Sequence, residues 1–575
     1  MAKALHTLAR VPAVAWASTY RREWLGRDVA AGLVLTGLLA PAGMAYAAAA
    51  GLPPVNGLYA SIVPLVVYAL VGPSRILVLG PDSALTPLVA AAVLPAMTVS
   101  PDHALAVAGM LAVLAGGICL VAGLFRFGFL AELLSAPVRY GYLHGIAITI
   151  LVSQAAKFCG FSVPGETLLG QLRGFADGIA DGRFNRWALA VGATCLVLIL
   201  VLRRVSRAVP ATLIAVIMGV VATVLLDLEA RGVKVVGDLP SGVPSPAWPS
   251  LGWTDTRNLL GAALGIAFVA FADTSVLSRT MAMRRREPVS DNHELVALGL
   301  SNVVTGLFHG FPISSSSSRT PVAESAGART QLTGVVAAAA MVLLAVAAPS
   351  AFRHMPDATL AAIVIAAAIS LIDLPALRHL FRVRRSEFVL AIAAILAVAV
   401  LGPVSGAVVA VALSVLNFLR LAWKPHTAEL VRVDGLKGYH DRGRHPEGRT
   451  IPGLLLYRFD APLFFANARF FATDLSRRIG ERDDTVNTVI VTAEPITDVD
   501  ATAAEMLRDL LAELRSQGID LRFAELKGEV HERVDAYRDF HGPMPDHSAR
   551  TTGEAVRNYL RASGVPWVDW EDRTP

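Results

Sequence analysis

The sequence predicts an α-helical membrane protein of about fourteen spans, built as two inverted sets of seven and followed by a small α/β domain. Three observations predict it. Hydrophobic residues make up 54% of the 575 residues and charged residues only 17%, against roughly 25% charged in ordinary soluble domains. Apolar runs near twenty residues long recur as far as Lys424, each able to cross about 30 Å as a helix. From about His426 the pattern changes to short alternating runs and amphipathic stretches. A mean hydropathy of +0.54 describes more apolar surface than one soluble core can hide. A cytosolic enzyme, a secreted disulfide scaffold and a disordered regulator are thereby excluded.

The first set of spans is read as Val29–Ala50, Val55–Val71, Ile76–Val93, Leu105–Leu124, Val138–Phe158, Trp187–Leu202 and Ala211–Leu226. A polar, Pro-rich stretch, Gly237–Thr254, separates it from the second. That set is read as Leu259–Met281, Glu294–Phe308, Ser316–Ser325, Leu332–Ala348, Leu360–Leu371, Phe388–Leu401 and Val404–Leu421. The domain boundaries expected from this reading are an N-terminal segment at 1–28 and a membrane domain at 29–424, with repeats at about 29–230 and 255–424. The α/β domain follows at 425–565, and a tail at 566–575.

Charge sets the expected orientation. Residues 1–424 hold 31 Lys/Arg against 20 Asp/Glu, and residues 425–575 hold 20 against 26. The connections after even-numbered spans carry Arg75, Arg126, Arg203, Arg284 and Arg378 with their neighbours, whereas three on the other side carry no Lys or Arg. By the positive-inside rule both termini are cytoplasmic. No basic patch carries the interleaved aromatics of a nucleic-acid surface. Cys119, Cys159 and Cys195 have no paired spacing, so neither a disulfide framework nor a zinc site is expected. Arg10, Arg21, Arg22 and Arg27 precede the first long apolar run with no short run and cleavage site, so no signal peptide is expected.

An odd number of spans per set inverts the second set relative to the first, which is the usual architecture of secondary transporters. Their binding sites lie at short, Gly/Pro/Ser-interrupted segments in matching positions. Here these are the third span of each set: Leu79-Gly80-Pro81-Asp82-Ser83, and Gly310-Phe311-Pro312-Ile313 followed by Ser314–Ser318, Arg319 and Thr320. Each reads as an extended approach leading into a half-helix. Two half-helix N-termini facing each other would present partial positive charge and free N–H donors, an anion cradle made from backbone. Arg319 either adds a fixed positive charge or anchors its helix.

These residues carry a resemblance. Ala40-Pro41-Ala42-Gly43-Met44-Ala45-Tyr46, followed by Ala50-Gly51-Leu52-Pro53-Pro54-Val55-Asn56-Gly57-Leu58-Tyr59, resembles the signature of the SulP (sulfate permease) family of anion transporters. Phe311-Pro312-Ile313 with Ser318-Arg319-Thr320 and Gln331 resembles the family's tenth-span motif, and Asn292-His293-Glu294-Leu295 with Ala297-Leu298-Gly299-Leu300 its ninth. The resemblance implies a seven-plus-seven inverted repeat of core and gate domains working by elevator-like alternating access. It also implies a small inorganic anion as substrate (sulfate, bicarbonate or chloride), a bilayer setting in the cell membrane, and a homodimer. Carried over residue by residue, it assigns substrate binding to Tyr46, Pro81, Asp82, Ser83, Ser317, Ser318 and Arg319. It assigns the coupling ion to Asp273, Thr274 and Asp82. Two departures stand out: Ala42 where many members have Gln, and Asp82 where others have an uncharged residue.

A carboxylate at bilayer depth costs roughly 2.5–3.5 kcal/mol and would repel an anion. Asp82 therefore either protonates as the anion binds, coupling transport to a proton, or caps the half-helix and stays ionised. Asp273 sits midway along the eighth span, where the family often carries an acid. It is read as the coupling residue, the alternative being a pair with an arginine such as Arg319. Thr274 and Ser275 would supply oxygens if the ion were sodium. His144 reads as a packed histidine, Asp373 as an interfacial cap, and Glu324 as a partner for a nearby Arg. His293-Glu294 lacks the second His of a zinc protease, and no Walker or GxGxxG motif suggests ATP drive. The expected function is therefore not enzymatic.

After a polar linker at Asp434–Arg449, Leu454–Phe459, Val486–Val491 and Leu521–Ala524 read as strands, and Ala501–Gln517 as an amphipathic helix. This domain resembles the STAS domain that follows the spans in SulP proteins. In anti-sigma antagonists of that fold a phosphorylated Ser follows the loop Asp, whereas Ala501 follows Asp500 here. A role in dimer contact or regulation is expected instead. The expected activity is sulfate:proton symport with no cofactor. The alternatives are sodium-coupled bicarbonate uptake or, in another class, a membrane-anchored anion sensor signalling through its STAS domain.

Overall fold

The computed structural model describes residues 16–129, 135–163, 168–205, 210–238, 242–316, 319–347, 349–541 and 544–572, and divides into two compact units, Met1–Val415 and Leu416–Pro575. The first unit is helical. Its first set runs α1 (Leu25–Ala49), α2 (Pro54–Val71), β1 (Leu79–Gly80) leading into α3 (Thr86–Met97), α4 (Pro101–Leu124) and α5 (Ala136–Phe158). After a connecting helix, α6 (Leu168–Ala180), come α7 (Arg186–Val205) and α8 (Ala211–Leu225). A short α9 (Trp253–Asn258) precedes the second set: α10 (Leu260–Arg285), α11 (Asp291–Leu307), β2 (Ser314–Ser315) with α12 (Arg319–Ser325), α13 (Leu332–Ala347) and α14 (Asp357–Leu371). Then follow α15 (Leu374–Val383), α16 (Arg385–Leu401) and α17 (Pro403–Trp423). With α6, α9 and α15 set aside as connectors, these elements are the seven-plus-seven array.

Local chemistry sets the boundaries. Pro54 opens α2 at a position where a missing N–H costs nothing. Ser100 Oγ caps α4 by accepting from His103 N at 3.1 Å. Asp373 caps α15 through Ala376 N at 2.9 Å. That helix has no buried residue, pairs Leu374 and Phe381 with Arg378 and Arg382, and lies in the connection expected to be a basic loop; it has the composition of an interfacial helix. Exposed Val197, Val221, Leu396 and Val408 mark outward faces of α7, α8, α16 and α17 that water would penalise and lipid accepts.

The repeat is visible in the packing. α4 packs on α11 as α13 packs on α2, α4 on α10 as α13 on α1, and α5 on α16 as α14 on α7. Each partner pair is its mate displaced by seven spans. Close approach depends on glycine. A Cβ on Gly57 would meet Gly43 O at 1.9 Å, and one on Gly116 would meet Gly299 O at 2.5 Å. Without hydrophobic drive inside a bilayer, such small-residue seams let helix backbones approach closely enough to hold together.

The second unit carries a six-stranded sheet in the order β4-β3-β5-β6-β7-β8, with β3 Thr427–Arg432, β4 Tyr439–Asp441, β5 Leu454–Phe459, β6 Thr488–Thr492, β7 Asp520–Ala524 and β8 Asp546–Ala549. β5 to β8 are parallel, and β3 is antiparallel to both its neighbours. Both faces are covered, as a parallel sheet requires. Leu455, Tyr457 and Phe459 pack with α18 (Ala468–Gly480) and α19 (Ala501–Ser516), and Leu454 and Leu456 pack with α21 (Thr552–Ser563), while α20 (Gly528–His541) joins the first face. The stretch Asp434–Arg449, expected as a linker, instead contains β4 and returns through a bridge between Arg432 and Arg449. Asp569 is also docked, 2.8 Å from Arg432 Nε.

Candidate functional site

Proline makes both breaks. Pro81 and Pro312 bring no N–H, and each biases the residue before it toward extended backbone. The extended segments meet as an antiparallel pair with Leu79 opposite Ser315 and Gly80 opposite Ser314. α3 leaves one strand and α12 the other, so the two half-helices begin at a common point. The rest of the extended backbone has no ladder partner, and lipid offers none. Side chains supply the bonds. Asn302 on α11 accepts from Ile313 N at 2.8 Å and donates to Ile313 O at 3.0 Å. Gln331 donates to Ser74 O and Leu77 O at 2.9 and 3.0 Å. Thr320 Oγ1 accepts from Val78 N at 3.2 Å, and Asn56 donates to His309 O at 2.7 Å.

Beside the paired breaks lies a cavity of about 380 Å³. Tyr46, Asp82, Ser83, Asp273, Ser315 and Ser316 line it from the side of the breaks, and Arg139, Arg203 and Arg284 line it from helix ends that border the basic connections. Asp82 Oδ1 accepts from Ala84 N at 3.4 Å, and its backbone carbonyl accepts from Thr86 N at 3.1 Å, so it opens the first turn of the α3 half-helix. Arg319 is 2% exposed. Its Nη2 stands 3.8 Å from Asp82 Oδ2 and donates to Gly80 O at 3.4 Å. Its Nε and Nη1 are buried with no hydrogen-bond partner among the described residues. Gly80 is what admits the guanidinium, since a Cβ there would lie 3.1 Å from Nη1.

Of the residues assigned from sequence, Tyr46, Asp82, Ser83 and Asp273 border the cavity, and Arg319 stands behind Asp82. Pro81 and Thr274 do not border it. Pro81 sits buried at the break, and Thr274 Oγ1 accepts from Ser315 N at 3.3 Å. Ser317 and Ser318 lie outside the described residues. Asp273 makes no ion pair within 4.0 Å among the described residues, and Arg319 pairs with Asp82 instead. Glu324 pairs with Arg284 and Arg285, both at 3.7 Å. His144 is packed, its Nδ1–H donating to Tyr140 O at 2.7 Å and its Nε2 accepting from Asp373 N at 3.0 Å.

Sequence reasoning missed Arg139, which it did not single out, and Arg203, which it read only as a topology signal. It also left Asn302 without a role. An amide eleven residues before Ile313, facing a Pro-broken segment that needs donors and acceptors, was the available signal.

Comparison with known proteins follows the same two units. The model described as "Sulfate permease family" matches residues 25–394, and the STAS domain model matches residues 445–542. Over 551 residues the chain is 41% identical to a probable sulfate transporter of Mycobacterium tuberculosis (strain H37Rv), covering 96% of this chain and 98% of that one. It is 29% identical over 538 residues to sulfate transporter 4.1, chloroplastic, of Arabidopsis thaliana, covering 90% and 78%. Among solved structures, the murine Solute Carrier 26 family member A9 anion transporter in the inward-facing state superposes with a TM-score of 0.86 at 20% identity, covering 97% and 95%. The transmembrane domain of a cyanobacterial bicarbonate transporter, BicA, gives 0.61 at 22% identity, covering 68% and 98%. These two likenesses concern the fold.

Proposed function

Because the chain belongs to the sulfate permease family of membrane transporters, we propose that it is a secondary active transporter of a small inorganic anion, with sulfate as substrate and a proton as coupling ion. The observation that carries the reading is Arg319: a nearly sealed guanidinium with two N–H-bearing nitrogens that have no acceptor among the described residues, at the junction of two half-helix starts, beside a cavity of about 380 Å³. A buried donor without an acceptor costs about 1–3 kcal/mol, more for a charged group. An anion in the cavity would recover that cost. The sulfate transporters named among the relatives support the choice of substrate.

The neighbourhood of Asp273 favours a proton over sodium. Thr274 Oγ1 already accepts from Ser315 N, and Ser275 donates to Asp291 Oδ1 at 2.6 Å. These bonds turn the two hydroxyls toward the ladder and α11, and neither residue lines the cavity that Asp273 borders, so the oxygens that would help to cage sodium there are turned elsewhere, whereas a proton needs only the carboxylate. Alternating access would move the paired breaks past α5, α7 and α14 in an elevator-like step, with both termini cytoplasmic and the protein a homodimer in the cell membrane.

The test is uptake of labelled sulfate, with bicarbonate and chloride as competing arms, into proteoliposomes under imposed proton or sodium gradients. Sulfate uptake driven by an inward proton gradient is expected. Uptake that follows sodium alone, or bicarbonate uptake without sulfate uptake, overturns the assignment.

A further inference from the structure

The cavity holds more positive charge than its carboxylates offset. Arg319 faces Asp82, and Arg284 faces Glu324 at 3.7 Å. Arg139 and Arg203 have no carboxylate within 4.0 Å among the described residues. The Arg139 guanidinium carbon stands 5.9 Å from the centroid of the neighbouring Tyr140 ring, and Arg203 Nη1 donates to Ala366 O at 3.5 Å. An arginine near a helix end normally turns its head out to the interface. These two border the cavity instead, and Arg203 reaches across to α14. They come from α5 and α7, on the wall opposite the breaks.

We propose that Arg139 and Arg203 form a second cationic wall that reads the second negative charge of the substrate, setting a preference for a divalent tetrahedral oxyanion over a monovalent anion. This rests on the transport reading above and deepens it. A chloride ion, or a bicarbonate held by one face, is satisfied by hydroxyls and N–H groups at the breaks with Arg319 behind them. A sulfate held the same way still directs oxygens at the opposite wall, where they need strong donors. Guanidinium groups suit that demand because their planar fork matches paired oxygens and never deprotonates. Asp273 lines the same cavity from the side of the breaks, and Arg139 is the cation whose field reaches it. When Asp273 carries a proton, Arg139 is left without a competing carboxylate. The proton and the second substrate charge then enter together.

Full-length Arg139→Gln, Arg203→Gln and Arg203→Lys proteins in proteoliposomes test this, with KM measured for labelled sulfate and for labelled chloride in the same vesicle preparations. Each Gln variant is expected to raise the sulfate KM about tenfold, the value of one charge-assisted hydrogen bond. The sulfate-to-chloride selectivity should fall at least about fivefold by the same arithmetic. Arg203→Lys, which keeps the charge and loses the fork, is expected to fall between. Chloride uptake and the melting temperature in detergent report on folding. Should a Gln variant fail to fold, Arg203→Lys and the sulfate-induced rise in melting temperature of each folded protein decide. KM values for both anions that rise by one common factor, or a selectivity that does not move, overturn the inference alone. Wild-type vesicles that carry monovalent anions but no sulfate also overturn it. Wild-type vesicles that carry no anion overturn the transport reading and this inference with it.

Discussion

Asp82 and Asp273 border one cavity, but the protein surrounds them differently. Asp82 is tied down by the Ala84 N–H and stands 3.8 Å from the Arg319 guanidinium, so its charge is compensated in place. Asp273 has no such cation within 4.0 Å among the described residues, and a charged carboxylate left that way at bilayer depth is costly. A group whose charge is costly when alone, and which shares its cavity with the arginines proposed above to meet the anion, would on that reading gain and lose a proton with the substrate. Asp273→Asn fixes the neutral form. On the proposed symport reading, the variant is expected to take up sulfate in vesicles with no acceleration by an inward proton gradient. Its initial rate should fall about tenfold or more, as expected when a proton-transfer group is removed. Uptake that still rises as the outside pH drops excludes the role. Both acids were legible in the sequence because a carboxylate inside an apolar run has few bland explanations. Arg139 and Arg203 were not, because an arginine at a helix end already has one in topology. The serine run pointed to the break: Ser315 and Ser316 line the cavity, the assigned Ser317 and Ser318 lie outside the described residues, and a run of identical residues does not by itself say which hydroxyls turn inward.

The spans themselves were legible to within a few residues, since hydrophobic thickness fixes their length, and α2 begins one residue before the expected Val55. Elements with weaker constraints were missed. α15 is a ten-residue helix in a stretch that registers as a basic loop when charges are counted, and β4 hides in a polar sequence because its residues are only half-buried. The seam between α4 and α11 depends on a subtler pattern. Gly109, Gly116 and Gly123 recur every seven residues on α4, and a Cβ on Gly116 would lie 2.5 Å from Gly299 O and 2.7 Å from Val303 N. Those are backbone atoms, which cannot turn aside as a side chain would. Gly117, the next residue on the same helix, has nothing within 4 Å of its Cβ position. Gly116→Leu should therefore force α4 and α11 apart at a cost of about 3 kcal/mol or more, the upper range for overpacking. Gly117→Leu should be nearly silent. Melting temperatures of the two variants in detergent are the measurement, and equal shifts would refute the seam.

At the scale of the whole molecule, two units solve the problem of buried charge under different solvents. The membrane unit leaves two nitrogens of Arg319 without a partner among the described residues, next to a cavity, a cost that a ligand would relieve on the proposed reading. The second unit instead closes the network around one buried carboxylate. Asp474 on α18 is nearly buried, and it accepts from Tyr457 Oη at 3.0 Å, from Arg478 Nε at 2.9 Å and from Arg477. Burial alone would push this carboxyl up, but the hydrogen bonds from Arg477, Arg478 and Thr427 outweigh it and hold the pKa at about 2. The unfolded value is about 3.9. A depressed folded pKa contributes stability that is complete above the unfolded value and is lost as pH falls through the folded one. The contribution of Asp474 should therefore vanish between about pH 4 and pH 2 and be constant at neutral pH. Asp474→Ala removes the acceptor and leaves the Tyr457 hydroxyl and the Arg478 guanidinium without it, a loss of about 2 kcal/mol for stranded buried donors. Hydrogen exchange on the full-length protein should show faster opening of α18 and β5 in this variant at pH 7, with α1 and α13 unchanged because they belong to the other unit. The same comparison at pH 2.5 should narrow the difference, since the wild-type carboxyl is then partly protonated. Equal exchange of α18 in both proteins at neutral pH would mean that the network is ornamental and that the sheet and its two hydrophobic faces hold the domain by themselves.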